Sequence, residues 1–460
     1  MPVRSHHTLC APSAQSADCA ADSWSSEVLP RLPSDLDPQA RRLKAFQRAR
    51  AFERPSDLLR GVLLYVLSPF GFRWLGAWGV LTELADLSAP AWHDALIRSS
   101  AWLLWLIGEL LVANDRPVFI SQRIRGRVWV VDASMIGQVG QTGDAWRLHL
   151  GFDLIAGQVG QVQLSDRHTG ERLDHFQLQP GDLVLLDAGY GYRRSLARAQ
   201  ALAADVLFRF TPSTCPLSDE RGRALDVVAW LRQDGPAMRT RNAWWSYEGQ
   251  CGRVRLLAKR RSAPERLAAE RRLCRNAQKH ARAVSPVALF LCGWLLLLTS
   301  LPSDSWTAEE LLWLYRARWQ VELLFKRLKQ LLRLGRIRAT SRAGAEATLR
   351  ALLLAWLLQE QSSRALQALL PRLGPRRLSQ ADQQEAPSEV VSTWTVTVLS
   401  LETLRVQVQG SWSEARVRAC LPRLRRFVVS RSQRAHQETE VRAFLAGLQP
   451  RQQVSRQLAV

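Results

Sequence analysis

Acidic residues are in short supply: 41 Asp and Glu stand against 63 Lys and Arg, a formal net charge of +22. A deficit of that size points to a polyanionic partner, either nucleic acid or an anionic membrane surface. Most of the basic residues are Arg, the better fork for phosphate oxygens. A codon bias toward Arg is the bland alternative. Cysteine pairing is also missing. The seven cysteines (Cys10, Cys19, Cys215, Cys251, Cys274, Cys292 and Cys420) are odd in number and widely spaced, with no CxxC pair. This argues against a disulfide framework and against a zinc site, and it fits a reducing cytoplasm. The first twenty residues hold no apolar core, so no signal peptide is expected. No hydrophobic run is long enough to span a bilayer. Val287 to Leu301 is about 15 residues between Pro286 and Pro302, where about 20 are needed. Arg73 interrupts the other apolar stretch, Leu58 to Val80. A soluble protein is the expectation, and no internal repeat is visible.

What is present is a chain of 460 residues, of which 47% are hydrophobic. That excludes wholesale disorder and allows roughly three domains. Residues 1–52 read as a basic, flexible arm, or as one short basic helix. Residues 53–120 are dense in Leu, Trp and Ala and read as helices. Within them Ser88 can cap a helix whose first turn holds Pro90. Helix, short turn and helix suit either a DNA-binding helix-turn-helix or an ordinary helical hairpin. Near Val128 the texture changes to strands: VWVVD, WRLHLGFDLIAG, QVGQVQLSD and GDLVLLDAGYGY, then a helix over SLARAQALAA and a strand over DVLFRF. This order predicts an α/β fold with a mixed sheet. Residues 211–284 read as an insertion. ALFLCGWLLLLTS reads as a strand returning to the core. One long helix is expected from about Thr307 to Arg333, and TWTVTVLSLETLRVQVQG reads as a strand hairpin.

The chemistry concentrates in two places. At about 100° per residue, Tyr315, Arg318, Glu322, Lys326 and Lys329 share an arc of roughly 80° on the expected long helix. The bland reading is a helix surface laced with i,i+4 ion pairs, Arg318–Glu322 and Glu322–Lys326. The second place is a pair of strands. Asp132 closes VWVVD and Asp187 closes LVLLD, and an acid there is costly unless solvated, paired or bound to a metal. Either acid alone is as readily a turn or cap residue. Two strand acids and one helix acid converging on a point would suit Mg2+, with Mn2+ as the substitute. Such ions support in-line phosphoryl transfer. His149 reads as a hydrogen-bonded strand histidine rather than a ligand.

The order Asp132, Asp187, Glu322 resembles the DDE transposases of bacterial insertion sequences. Tyr315, Arg318, Glu322 and Lys329 match the spacing of the Y-R-E-K signature found in one subgroup. The likeness covers about 120–345. Ala188 departs from it, standing where many relatives carry Arg. The resemblance implies a ribonuclease H-like mixed sheet as catalytic core. Its first part is 121–210 and its second 285–345, with an insertion domain at 211–284, a helical DNA-binding region at 53–120 and a C-terminal helical region, a candidate for dimerisation, at 346–460. It implies Asp132, Asp187 and Glu322 as catalytic residues and ligands of Mg2+. It implies double-stranded DNA, as transposon ends and as target, for partner. A homodimer and a bacterial cytoplasmic, nucleoid-associated location follow from the same likeness. Tyr315, Arg318, Lys326 and Lys329 would touch the DNA backbone. Trp294, 21 residues before Tyr315, resembles a Trp on which relatives stack a flipped base. A core Trp is the alternative, and Trp244 and Trp245 compete for the role. The basic run Lys259 to Arg282 is either a DNA track or a solvated helix face. The rival functions are a ribonuclease H-like nuclease without strand transfer, an inactive DNA-binding element product, and a peripheral membrane protein held by charge.

Overall fold

The computed structural model describes residues 23–49, 51–113, 123–140, 143–369 and 392–428. The first elements are helices: α1 (Leu36–Arg42), α2 (Pro55–Leu67), α3 (Phe72–Leu81), α4 (Ala89–Arg98) and α5 (Ser100–Ala113). Strands follow: β1 (Val128–Gln138), β2 (Asp144–Asp153), β3 (Gln158–Asp166) and β4 (Leu183–Leu186). Next come α6 (Arg193–Ala201), β5 (Asp205–Arg209), α7 (Val227–Arg232), β6 (Met238–Tyr247), β7 (Gln250–Arg260), α8 (Ala263–Lys279), α9 (Pro286–Leu291) and β8 (Trp294–Thr299). The rest is α10 (Ala308–Arg316), α11 (Trp319–Leu331), β9 (Arg336–Ile337), α12 (Arg342–Leu369), α13 (Thr393–Gln409) and α14 (Glu414–Val428).

The chain divides into two units, one formed by 1–99 with 405–460 and the other by 100–404. In the first, Ser88 Oγ caps α4 by accepting from the Ala91 amide at 3.4 Å, with Pro90 in the first turn as expected. Trp92 is buried against Gly61, where any Cβ would meet its ring at 2.2 Å. Residues 23–49 are not a loose arm. They form short helical turns that bury Trp24, Val28 and Phe46. Residues 1–22, the rest of the expected arm, lie outside the described residues.

The second unit is built on one sheet in the order β3-β2-β1-β4-β5-β8-β7-β6, with β9 also pairing β1. β1, β2 and β3 form an antiparallel meander, and β1, β4 and β5 are parallel. This is the mixed α/β sheet that the strand order predicted, and the ribonuclease H-like arrangement that the family resemblance implied. Apolar side chains explain it locally. β4 is LVLL, buried at every position, and β1 opens with four buried residues. Strands covered on both faces read as continuous apolar runs. Asp182 ties the start of both strands together. It is 2% exposed and accepts from Trp129 Nε1 at 3.0 Å and the Arg127 amide at 2.8 Å. A buried carboxylate is tolerable only when saturated with donors in this way.

Residues 211–284 contribute β6 and β7, which pair with each other, and β7 joins the sheet by pairing with β8. Two expectations need correction. The segment expected as a strand hairpin is helix α13. Val396, Ser400, Leu404 and Val408 are buried at a spacing of four, and packing of that face overrides the β-branched composition. The long helix is two helices, α10 and α11. Arg318 donates its amide to the Tyr315 carbonyl at 3.1 Å, and Val321 to that of Arg318 at 3.2 Å. The chain thus tightens to i→i+3 bonding at the junction. The longest expected spanning run is likewise divided between α9 and β8, and among the described residues no single helix is long and apolar enough to cross a membrane. The five described cysteines are free; Cys10 and Cys19 lie outside the described residues.

Candidate active site

The register of the sheet decides where the two aspartates fall. Val128, Trp129 and Val130 pair with Leu183, Val184 and Leu185. Asp132 and Asp187 each lie two residues past the last of these pairs, so the register brings them level, Asp132 within β1 and Asp187 just past the end of β4. Asp132 does not end its strand. β1 continues to Gln138, with Asp132 opposite Leu150 of β2. It is β4 that stops, at Leu186 just before Asp187. There Asp187 Oδ1 accepts from the amides of Gly189 at 2.8 Å and Tyr190 at 3.2 Å, which is the turn the DAGYG sequence makes.

Proximity shows in the protonation of Asp132. Burial and then the neighbouring Asp187 push its carboxyl up to about 7, against the pull of the Ala133 amide and of Arg318. Two carboxylates at one place cannot both ionise easily without a cation. A third acid joins them that the sequence reading missed. Glu171, on the loop after β3, is pushed up by burial and by Asp187, while Arg147 opposes the shift. A Cβ built on Gly189 would lie 2.1 Å from Glu171 Oε2 and 3.1 Å from Asp187 Oδ1. Nothing in DRHTGERLDH separates Glu171 from an ordinary surface turn acid. Tyr190 beneath the cluster is raised, first by burial and then by Glu171, Asp132 and Asp187.

Helix α11 packs on β1 and carries Glu322. The tightened junction matters here. Three residues per turn eclipse i and i+3, so the Arg318 guanidinium sits 5.7 Å from the Tyr315 ring. From Arg318 the step of four residues along α11 reaches Glu322. Arg318 Nη2 meets Glu322 Oε1 at 2.5 Å, with Arg318 16% and Glu322 57% exposed. The expected Arg318–Glu322 pair therefore forms, but not on one continuous helix stripe. Burial works against the charge on Arg318, yet Tyr315, Glu322 and Asp132 together hold it above its usual range. Tyr315 is pushed up to about 12, chiefly by burial, with Arg318 and Arg209 opposing. Lys326 and Lys329 are exposed on the outer face of α11.

The remaining expected residues are scattered around this centre. Trp294 opens β8 and is only 6% exposed. Arg239 and Arg260 lie 4.9 and 5.1 Å from its ring. It lines a cavity of about 560 Å3 with Arg209, Arg261 and residues of α8 and α9. His149 is fully buried and bonded to Tyr190 Oη at 3.3 Å and Ser165 Oγ at 2.8 Å, as a strand histidine should be. The basic run starts at the end of β7 and continues through α8, which buries none of its residues.

Whether these groups suit a divalent cation can be judged from the donors. Asp132 and Asp187 are hard oxygen donors whose mutual repulsion a cation would relieve. Glu322 completes the set in kind, but its carboxylate is engaged by Arg318. Among the described residues no three acidic, His or Cys side chains are already gathered closely enough to hold a metal.

A mixed α/β sheet of this order, with two aspartates level in its register, is that of a ribonuclease H-like core. Residues 124–358 match the family described as Transposase DDE domain. The chain is 32% identical over 343 residues to InsL, named as a transposase of insertion sequence element IS186A in Escherichia coli strain K12, covering 73% of this chain and 92% of that one. It is 32% identical over 346 residues to the transposase of insertion sequence element IS421 from Escherichia coli, with the same coverage. The chain belongs to the DDE transposase family of bacterial insertion sequences. It is thus a DNA-processing enzyme that depends on divalent metal ions.

Proposed function

We propose that this transposase binds the inverted-repeat ends of its own insertion sequence, hydrolyses a phosphodiester at each end and joins the freed 3′ ends to target DNA. The observation that carries this reading is the level placement of Asp132 and Asp187 beside α11. Asp132, Asp187 and Glu322 are the catalytic residues, and they would hold Mg2+, for which Mn2+ can substitute. The metal, when bound, activates the attacking oxygen and stabilises the leaving one. The chain's own contribution is positioning. Arg318, already beside both Asp132 and Glu322, keeps a positive charge at the place where phosphate charge builds up. Tyr315, Lys326 and Lys329 hold the backbone of the end, consistent with membership of the Y-R-E-K subgroup. Trp294 serves a displaced base from the wall of its Arg-lined cavity. The helix, turn and helix over α3–α4 read the end sequence, α8 tracks the duplex, and a homodimer brings two ends together.

A strand-transfer assay tests the reading. Duplex DNA from the element's ends is incubated with the protein, Mg2+ and a target plasmid. Joined product is the expected outcome. Cut ends without joined product leave only a nuclease, and bound but uncut DNA leaves only an inactive binding protein.

A further inference from the structure

A cavity of about 640 Å3 opens beside the acid pair, with Gly189 in its wall. Five guanidinium groups line it: Arg147, Arg172, Arg193, Arg194 and Arg198. Only two carboxylates face them, and both are engaged. Asp174 is held by Arg194 at 2.7 Å and Arg198 at 3.6 Å, and Glu171 by Arg147 at 3.6 Å. Arg193 donates to the neutral Ser246 carbonyl at 3.2 Å, so its charge is not compensated there. Arg172 is exposed, and no carboxylate among the described residues pairs with it. Arg198 Nε makes no hydrogen bond, its carboxylate partner Asp174 Oδ1 standing off at 3.6 Å. Five guanidinium groups against two carboxylates leave an excess of positive charge that calls for an anion.

The rim says which anion. Tyr192, 43% exposed, and Tyr247 border the same cavity. Phenol rings interleaved with guanidinium groups are the composition that holds unpaired nucleic acid, rings under bases and cations on phosphates. A volume of about 640 Å3 takes a short stretch of one strand and not a duplex. Gly189 belongs both to its wall and to the turn that bonds Asp187. A strand cut at the acid pair therefore has its next phosphates here. The geometry points to this cavity as the seat of a single DNA strand running on from the scissile phosphate. Arg172, Arg193 and Arg198 meet its phosphates, and Tyr192 and Tyr247 meet its bases. This assignment rests on reading Asp132 and Asp187 as the cutting site.

The test is binding of the full chain, by fluorescence anisotropy, to a labelled duplex with a short single-stranded 3′ tail and to its blunt twin. The double variant Arg172→Ala/Arg193→Ala should weaken binding to the tailed probe about tenfold and lower its salt slope by about 1.4, at ~0.7 per single-strand phosphate. The blunt probe should change less than about twofold, since no duplex phosphate enters the cavity. Arg172→Ala alone removes an exposed side chain without a paired carboxylate and so leaves the fold intact. It should cost about threefold and ~0.7 of slope on the tailed probe. Equal losses on both probes, or none in either variant, overturn the assignment. So does inorganic phosphate that abolishes the advantage of the tail when chloride of equal ionic strength does not, because a free anion is then the occupant. Cleavage by Asp187→Ala judges the cutting site and tail preference judges the cavity, so the two readings fail separately.

Discussion

The strand side and the helix side of the site carry the same kind of group in opposite condition. On the sheet, Asp132 is largely buried, lies level with Asp187 and has its carboxyl pushed up to about 7. On α11, Glu322 is half in solvent and neutralised by Arg318. The sheet therefore stores unfavourable charge before any ligand arrives, while the helix stores almost none. A half-buried pair held by the register of the sheet fixes where a cation would sit. An exposed glutamate with an exchangeable partner costs little until it is used.

The largest expected effect removes that contrast. If all three acids serve one reaction, Asp132→Ala, Asp187→Ala and Glu322→Ala each lower end cleavage by about a thousandfold, or ~4 kcal/mol of barrier. End binding by gel shift should survive in each. Cleavage persisting in Glu322→Ala alone would confine the chemistry to the sheet.

Stability should separate the two sides next. The folded protein keeps on Asp132 a proton that the unfolded chain, with its ordinary carboxyl at 3.8, gives up earlier. The stability tied to that proton is fully present below pH 3.8 and is lost as the pH rises through about 7. Asp132→Asn has no such loss. Between acid and pH 8 the variant should gain about 2 kcal/mol on the parent, roughly half the full shift, because the side chain keeps some solvent contact. Urea unfolding across that range measures it, and parallel curves would show that the carboxyl is not perturbed. Adding Mg2+ at pH 8 should close the gap by stabilising the parent only.

Glu322→Gln offers the matching experiment on the helix. A half-exposed pair contributes little, so its urea midpoint should move by less than about 0.5 kcal/mol at any pH. A larger loss would mean that Arg318 depends on Glu322 for its place, and the helix side would then be as rigidly built as the strand side.

The sequence made these two sides unequally legible. Apolar runs ending in VWVVD and LVLLD placed both aspartates on strands, the strand order placed those strands in a mixed sheet, and the family resemblance made that sheet ribonuclease H-like. Their level register shows only in the folded chain, because pairing offsets are set by long-range hydrogen bonds. Glu322 was legible by spacing, but the helix break beside it was not. YRARWQ has no Gly or Pro, and Arg318 keeps right-handed helical angles; only the bonding pattern slips. Glu171 was hidden for a different reason. Its place near Asp187 depends on Gly189, 18 positions away in sequence, which leaves room for its carboxylate. The fate of TWTVTVLSLETLRVQVQG shows the limit of alternation. Thr and Val alternate with other residues, yet one face with a spacing of four is what packs.

The smallest effect bears on the outer face of α11. Lys326 and Lys329 are exposed, and within this chain neither has an ion pair with a carboxylate among the described residues. Each can therefore be removed without touching either half of the site. Lys329→Ala should leave the urea midpoint within about 0.5 kcal/mol of the parent. If the side chain neutralises one backbone phosphate of a bound end, the salt slope of end binding should fall by about 0.9. Lys326→Ala should do the same if both contact the duplex, and the double variant should then lose about 1.8. A slope unchanged in both would make these lysines solvated charges. The two helices and their junction would then bring only Tyr315, Arg318 and Glu322 to the DNA, and the difference between the two sides would narrow to a single half-buried guanidinium facing a half-buried pair of acids.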